Sequence, residues 1–137
     1  MQLEWGRDIK GEAYAKLLTN LLSHCDTVQC VMRDEDDSYF EAISDAFIEK
    51  KYVMEWLLTK QGYGAAPVLQ YTFHYNVQTA QFLKEQRSSI FSWLMPYPED
   101  LSFWHGGTCL LATCTHEQYV DIQSNIVSEI ASFFKSR

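Results

Sequence analysis

Long apolar stretches and an excess of basic residues are both missing from this sequence. It has no run of about 18 apolar residues, the length that a membrane-spanning helix needs. The opening MQLEWGRDIK also has no apolar run, so the sequence predicts no signal peptide. Eleven Lys and Arg residues stand against 18 Asp and Glu residues, which gives a formal net charge of −7. An acidic surface repels phosphates and anionic lipids, so we expect no nucleic-acid partner and no membrane partner.

Cysteine and proline are sparse, with four and three residues respectively. The cysteines could pair as disulfides in an oxidising compartment. Because no secretion signal is predicted and 47% of the residues are hydrophobic, buried thiols are expected instead. The sequence therefore predicts a cytoplasmic protein.

The length and the apolar content both predict a folded chain. It has 137 residues, of which 15% are aromatic, and this is enough to build one hydrophobic core. Disordered chains combine low hydrophobicity with high charge, and this composition shows neither. We expect a single domain that spans residues 1–137.

Hydrophobic periodicity predicts alternating helices and strands. Helices are predicted over residues 9–24, with Asp8 as N-cap, and over 76–94. Another is predicted from a Ser38/Glu41 capping box, with Phe40, Ile43 and Phe47 buried and Lys50 and Lys51 at its C-terminal end. A final helix is predicted from a Thr115/Gln118 capping box along Tyr119, Ile122, Ile126, Ile130 and Phe133. Strands are predicted over 27–33, 68–75, 101–104 and 108–114, and residues 52–58 fit either state. The expected fold is α+β or α/β, with a four- to five-stranded mixed sheet and about four helices packed on it.

One segment has the residue types of a zinc site. His105, Cys109, Cys114 and His116 form the pattern H-x3-C-x4-C-x-H, and thiolates and imidazoles are zinc ligands. However, Cys109 and Cys114 are five positions apart in a predicted strand, so their side chains point to opposite faces. We therefore predict no metal and no cofactor.

The same segment also suggests a nucleophile. Cys114 and His116 share a face if the strand extends that far, and Glu117 could orient the imidazole. These three residues are the catalytic candidates, although strand-to-helix packing explains them equally well. Candidate ligand-binding residues are His74, on the polar face of its strand, and Trp104 and His105, at the Gly-Gly turn.

Several short motifs resemble those of a known family. They are Ser92-Trp93-Leu94, Pro98-Glu99-Asp100-Leu101-Ser102-Phe103, Thr115-His116-Glu117 and the V-M-R-D of Val31 to Asp34. They are similar to small soluble proteins of spore-forming Gram-positive bacteria that often carry the automatic label stage III sporulation protein AH. The resemblance covers about two thirds of the chain and departs from the family around Trp104 to Leu111. That family has no assigned activity, so the resemblance implies a shared fold and no catalytic residue.

Two functional hypotheses follow from the sequence. The leading one is a non-enzymatic interaction or regulatory protein, for example an immunity-type inhibitor. Its acidity favours a protein partner with a basic surface, or a second copy of the chain as a homo-oligomer. The alternative is a small enzyme or ligand-binding domain with a Cys/His site near Cys114 and His116.

Overall fold

The computed structural model describes residues 2–56, 58–123, 125–126 and 128–129. Within them, seven strands form one sheet, in the order β1-β9-β8-β7-β2-β6-β3, and two form a separate ribbon, β4-β5. The strands are β1 (Gln2–Trp5), β2 (Thr27–Met32), β3 (Phe47–Val53), β4 (Glu55–Trp56), β5 (Thr59–Lys60), β6 (Val68–His74), β7 (Glu99–His105), β8 (Thr108–Cys114) and β9 (Tyr119–Gln123). Every neighbouring pair is antiparallel.

The predicted four- to five-stranded mixed sheet is therefore wrong. The large sheet has seven strands and no parallel pair among the described residues, and this leaves α+β and removes the α/β alternative. The prediction of about four helices agrees roughly with the described elements, although only two of the four are α-helices. The described elements include two α-helices, α1 (Glu12–Leu21) and α2 (Val77–Gln86), and two 3₁₀ helices, Asp37–Ala46 and Ile90–Ser92. The predicted strands at 27–33 and 68–75 and the hairpin around Gly106-Gly107 are confirmed.

The helices share one hydrophobic core with one face of the sheet. Leu17 and Leu21 of α1 are fully buried in the same cluster as Val28, Phe73 and Phe103 of the sheet. Side chains alternate between the two faces of a strand, so these three residues of β2, β6 and β7 point to the helical side. The opposite face carries polar side chains, and Gln29 donates a hydrogen bond there to Thr72 (3.2 Å).

Helix α2 begins as predicted and ends earlier. The Asn76 side chain accepts a hydrogen bond from the Thr79 amide, as an N-cap does. The helix stops at Gln86 because the next residues pair with the segment before α1: the amide of Ile90 donates to the Ile9 carbonyl (2.9 Å). Asp8 accepts from the Phe91 amide (3.0 Å) and so does not cap α1. Tertiary pairing overrides helical periodicity here.

The predicted final helix from Thr115 is wrong in its first part. Residues 115–118 form a turn, Gln118 has a φ of 57°, and β9 follows with Val120 and Ile122 buried. The strand forms because β8 and β1 both pair with it. Helical backbone is present at Ile126 and Glu129, whereas Ile130 and Phe133 lie outside the described residues.

The ribbon β4-β5 packs on the polar face of the sheet. The Trp56 indole donates a hydrogen bond to Asp100 Oδ2 (2.8 Å), and Thr59 Oγ1 lies 3.4 Å from Cys114 Sγ. Asp100 is buried, and its other oxygen accepts from the Thr115 amide (2.8 Å). The ribbon that follows β3 in the chain therefore covers part of the polar face.

Candidate functional site

The structure places the three catalytic candidates in different environments. Cys114 ends β8, is 1% exposed and lies beneath the ribbon beside Thr59. His116 and Glu117 lie in the following turn with side chains that are 54% and 65% exposed, and His116 Nε2 is 3.9 Å from Glu117 Oε1. Among the described residues, no hydrogen bond joins the Cys114 thiol to the His116 imidazole. The thiol is covered and the imidazole is in solvent, so the geometry does not assemble a nucleophile with its base.

The ligand-binding candidates lie together at one end of the sheet. His74 and Trp104 are the two cross-strand neighbours of Thr27, so the three residues share the polar face. The adjacent His105 is exposed, with Nδ1 3.6 Å from Asp26 Oδ2. Trp104 donates its indole hydrogen bond to Ser102 (2.9 Å). These side chains form an open surface.

Cys109 and Cys114 are far apart along β8. Cys109 is the cross-strand neighbour of Trp104, whereas Cys114 pairs with Tyr119 at the other end of the strand. Five residues of extended chain span about 16 Å. The four-residue zinc pattern therefore cannot close around one ion. In the part of the chain that the structure describes, no group of three or more His, Cys, Asp or Glu side chains has the geometry of a metal site.

The most distinctive surface is one that the sequence analysis missed, the outer edge of β3. This strand pairs with β6 on one side and, within the described residues, with no strand on the other. Its first six residues are exposed and Val53 is half-buried. Phe47 follows Ile43 at helical spacing and was therefore predicted to be a buried helix residue, but it is an exposed strand residue.

A cleft opens between β3 and the 3₁₀ helix Asp37–Ala46. It has a volume of about 260 Å³. Its walls are four aromatic rings, Phe40, Phe47, Tyr71 and Phe73. The polar side chains around it belong to Asp37, Ser44 and Lys50. The cleft is thus apolar inside and charged at its rim, as small binding sites commonly are.

A hydrogen-bonded ion cluster closes one side of this cleft. Lys50 Nζ lies 2.6 Å from Glu35 Oε2 and 2.7 Å from Asp37 Oδ2, and the Tyr71 hydroxyl donates to Asp37 Oδ1 (2.7 Å). The hydrogen bond from Lys50 is the main reason that the pKa of Asp37 is lowered, and Asp37 in turn raises the pKa of Lys50. Burial raises the pKa of Tyr71, so its hydroxyl stays a donor. The Asp37 carboxylate is therefore ionised and oriented.

Comparison with known proteins gives no relative: no family model, no curated protein and no solved structure matches this chain. The resemblance to the sporulation-labelled family stays a prediction. Within the residues that the structure describes, no helix is long and apolar enough to span a membrane. Any statement about function therefore rests on the geometry of the edge strand and its cleft.

Proposed function

We propose that this chain is a non-enzymatic protein-interaction domain, which recognises an extended segment of a basic partner protein along the outer edge of β3. The observation that carries this proposal is the edge itself, seven residues long and without a strand neighbour on its outer side among the described residues. Such an edge presents amide and carbonyl groups that pair readily with another extended chain.

Exposed apolar side chains concentrate at this edge. The described residues include eight large hydrophobic side chains that are exposed, and five of them lie between residues 47 and 63. These five are Phe47, Ile48, Tyr52, Met54 and Tyr63. Scattered exposed apolar residues are ordinary on a protein surface, but a concentration of them next to an unpaired strand is typical of a binding surface.

The edge also carries features that limit indiscriminate pairing. Lys50 and Lys51 place charge on the strand, and the register shifts between Phe47 and Glu49. Edge lysines and bulges discourage aggregation in natural sheets. The stretch from Glu49 to Val53 is nevertheless in regular register with β6, so it can accept one more strand. This combination favours a selective partner over self-association.

The charge of the chain favours a basic partner. The formal net charge is −7. Four consecutive exposed carboxylates, Asp34 to Asp37, lead into the 3₁₀ helix, and Lys50 contacts two of them. Opposite charge on a partner would accelerate its association and orient it. A regulatory or inhibitory role in the cytoplasm accords with such an interaction. The enzyme alternative has no comparable support, because Cys114 is covered and His116 is not.

A photo-cross-linking experiment tests the proposal. A benzoylphenylalanine is placed at Tyr52 on the edge and, as a control of similar exposure, at Val77 at the start of α2; the two side chains are 67% and 74% exposed. A partner captured only through position 52 is then purified. We expect Tyr52→Glu to abolish its binding, Val77→Glu to leave it unchanged, and the backbone amides of residues 49–53 to become protected from hydrogen exchange in the complex.

The proposal fails if both positions yield the same adducts, or if the amides of β3 exchange equally fast with and without the partner. A covalent dimer formed through position 52 would identify a second copy of the chain as the partner. That result would keep the edge as the interface but would contradict the basic partner.

A further inference from the structure

The ammonium group of Lys50 lies at the rim of the aromatic cleft, in a position that suits the cationic group of a ligand. Its ammonium group contacts both Glu35 and Asp37 and lies 6.0 Å from the centre of the Tyr71 ring. Lys50 is the cross-strand neighbour of Tyr71, so both side chains lie on the face that carries the helices. A cation between carboxylates and the face of an aromatic ring is a favourable arrangement.

The cleft has room for a further side chain beside this lysine. Its volume of about 260 Å³ suits one long side chain and is small for a drug-sized ligand. Phe40 and Phe73 are buried at its base, whereas Phe47 is 44% exposed at its mouth. The residues that offer hydrogen-bond acceptors at the rim, Asp37 and Ser44, are both exposed.

We propose that this cleft is a specificity pocket for one arginine side chain of the partner, whose guanidinium group takes the carboxylates that Lys50 otherwise occupies. This proposal depends on the proposed function in one respect: the arginine belongs to the partner segment that pairs with β3. Alternate side chains of an added strand lie on the same face as Lys50, which brings one of them to the mouth of the cleft.

The chemistry of the pocket favours arginine over other side chains. A guanidinium group is planar, stacks on aromatic faces and donates paired hydrogen bonds to carboxylates. Glu35 and Asp37 together carry two negative charges against the single charge of Lys50, and Asp34 and Asp36 flank them. A second cation is therefore attracted to the site, whereas an acidic side chain is repelled.

The test uses N-acetyl-argininamide as the probe and N-acetyl-citrullinamide as its uncharged isostere. Binding is followed by the amide chemical shifts of the ¹⁵N-labelled protein. The variants are Lys50→Met and Lys51→Met. The first removes the ammonium group that contacts Glu35 and Asp37, and the second removes the same charge from the same strand but on the opposite face. Because the probe is too short to pair as a strand, the result does not depend on strand addition at β3.

We expect saturable shifts at Asp37, Ser44 and Lys50 with the arginine derivative and none with the citrulline derivative. Lys50→Met is expected to tighten binding by about threefold or more, since it removes an intramolecular competitor, and Lys51→Met to leave it near the wild-type value. Asp37→Asn is expected to weaken binding. Unchanged dispersion of the other amide signals shows that each variant is folded.

Equal chemical-shift changes with the arginine and citrulline derivatives would overturn the pocket. An equal gain in affinity in Lys50→Met and Lys51→Met would also overturn it, because net charge alone would then explain the effect. Absence of saturable binding in Lys50→Met would overturn it as well. None of these outcomes affects the cross-linking result at Tyr52, so the pocket and the binding edge can fail separately.

Discussion

Replacing Tyr14 by Phe should destabilise this protein more than replacing Tyr75 by Phe, although both remove one buried hydroxyl group. The Tyr14 hydroxyl accepts a hydrogen bond from the Trp93 indole (3.0 Å) and donates one to the Leu83 carbonyl (2.7 Å). Tyr14 and Trp93 are almost completely buried. One oxygen therefore satisfies a donor and an acceptor, and it joins α1, α2 and the segment after α2.

The expected magnitude follows from these two partners. A buried polar group that loses its only partner costs about 1–3 kcal/mol, and Tyr14→Phe leaves the Trp93 indole N–H in that position. The Leu83 carbonyl still accepts from the Arg87 amide (3.4 Å), so the lost hydrogen bond to Leu83 adds only about 1 kcal/mol. We expect a loss of roughly 2–4 kcal/mol in the free energy of unfolding. The ring itself remains, so no large cavity term is added.

Tyr75→Phe is the matched control. Tyr75 is also buried, and its hydroxyl donates a single hydrogen bond, to the Leu18 carbonyl (2.6 Å). Its loss should cost about 1 kcal/mol, the ordinary net value of one hydrogen bond. Burial raises the pKa of both tyrosines, so both hydroxyls are neutral donors near pH 7.

Urea unfolding, followed by tryptophan fluorescence and by far-ultraviolet circular dichroism, measures both losses. Coincident transitions with unchanged slopes would show that two-state analysis applies. If Tyr75→Phe costs as much as Tyr14→Phe or more, the two-sided hydrogen bonding of Tyr14 does not contribute to stability as the geometry indicates.

Two further predictions concern titratable groups. Burial raises the pKa of Cys25 to about 12 and that of Cys109 to about 11, and the Cys114 side chain is covered, with 1% of its surface exposed. We therefore expect Ellman's reagent at about pH 8 to label these three thiols slowly until urea unfolds the chain. Fast native labelling of Cys114 would contradict this and revive the enzyme alternative. Hydrogen bonds from Asn20 and then His24 lower the pKa of Glu129, so its contribution to stability is present at neutral pH and is lost as the carboxylate protonates. The stability difference between wild type and Glu129→Gln should therefore shrink between about pH 5 and pH 3, and a difference that persists in acid would count against the ionised contact.

The elements that the sequence predicted well are those whose pattern is local. In β6, buried Leu69, Tyr71 and Phe73 alternate with more polar residues, and no helix produces that period. The hairpin between β7 and β8 turns at Gly106 and Gly107, both with positive φ, where glycine avoids a steric cost. These features need no information from distant residues.

The elements that it mispredicted depend on distant partners. Tyr119, Ile122 and Ile126 have helical spacing, yet Val120 and Ile122 also have the two-residue spacing of a strand. Pairing with β8 and β1 stabilises the strand instead of the helix. Residues 87–92 leave the helix because they pair with the chain before α1. A pattern read over a short window cannot distinguish these alternatives.

The candidate binding site was missed for a related reason. Whether β3 is an edge depends on how many strands pair with it, and among the described residues only β6 does. That is a property of strand order and not of the residues in β3. Phe47 alone fits a buried helix position as well as an exposed strand. The acidic run from Asp34 to Asp37 is evident in the sequence, but its contact with Lys50 is not, because that contact depends on the fold.

The strand order also constrains the sequence of events during folding. The central strand β2 has β6 and β7 as its neighbours, and both follow it in the chain with several other elements in between. Among the strands that the structure describes, β1 is synthesised first and its partner β9 last. On a ribosome, β1 would therefore wait unpaired until β9 is made, whereas β2 and β3 can pair with β6 earlier and the contiguous meander β7-β8-β9 can form by local contacts. A sheet with such distant pairings has a high contact order and folds on a timescale of about milliseconds to seconds.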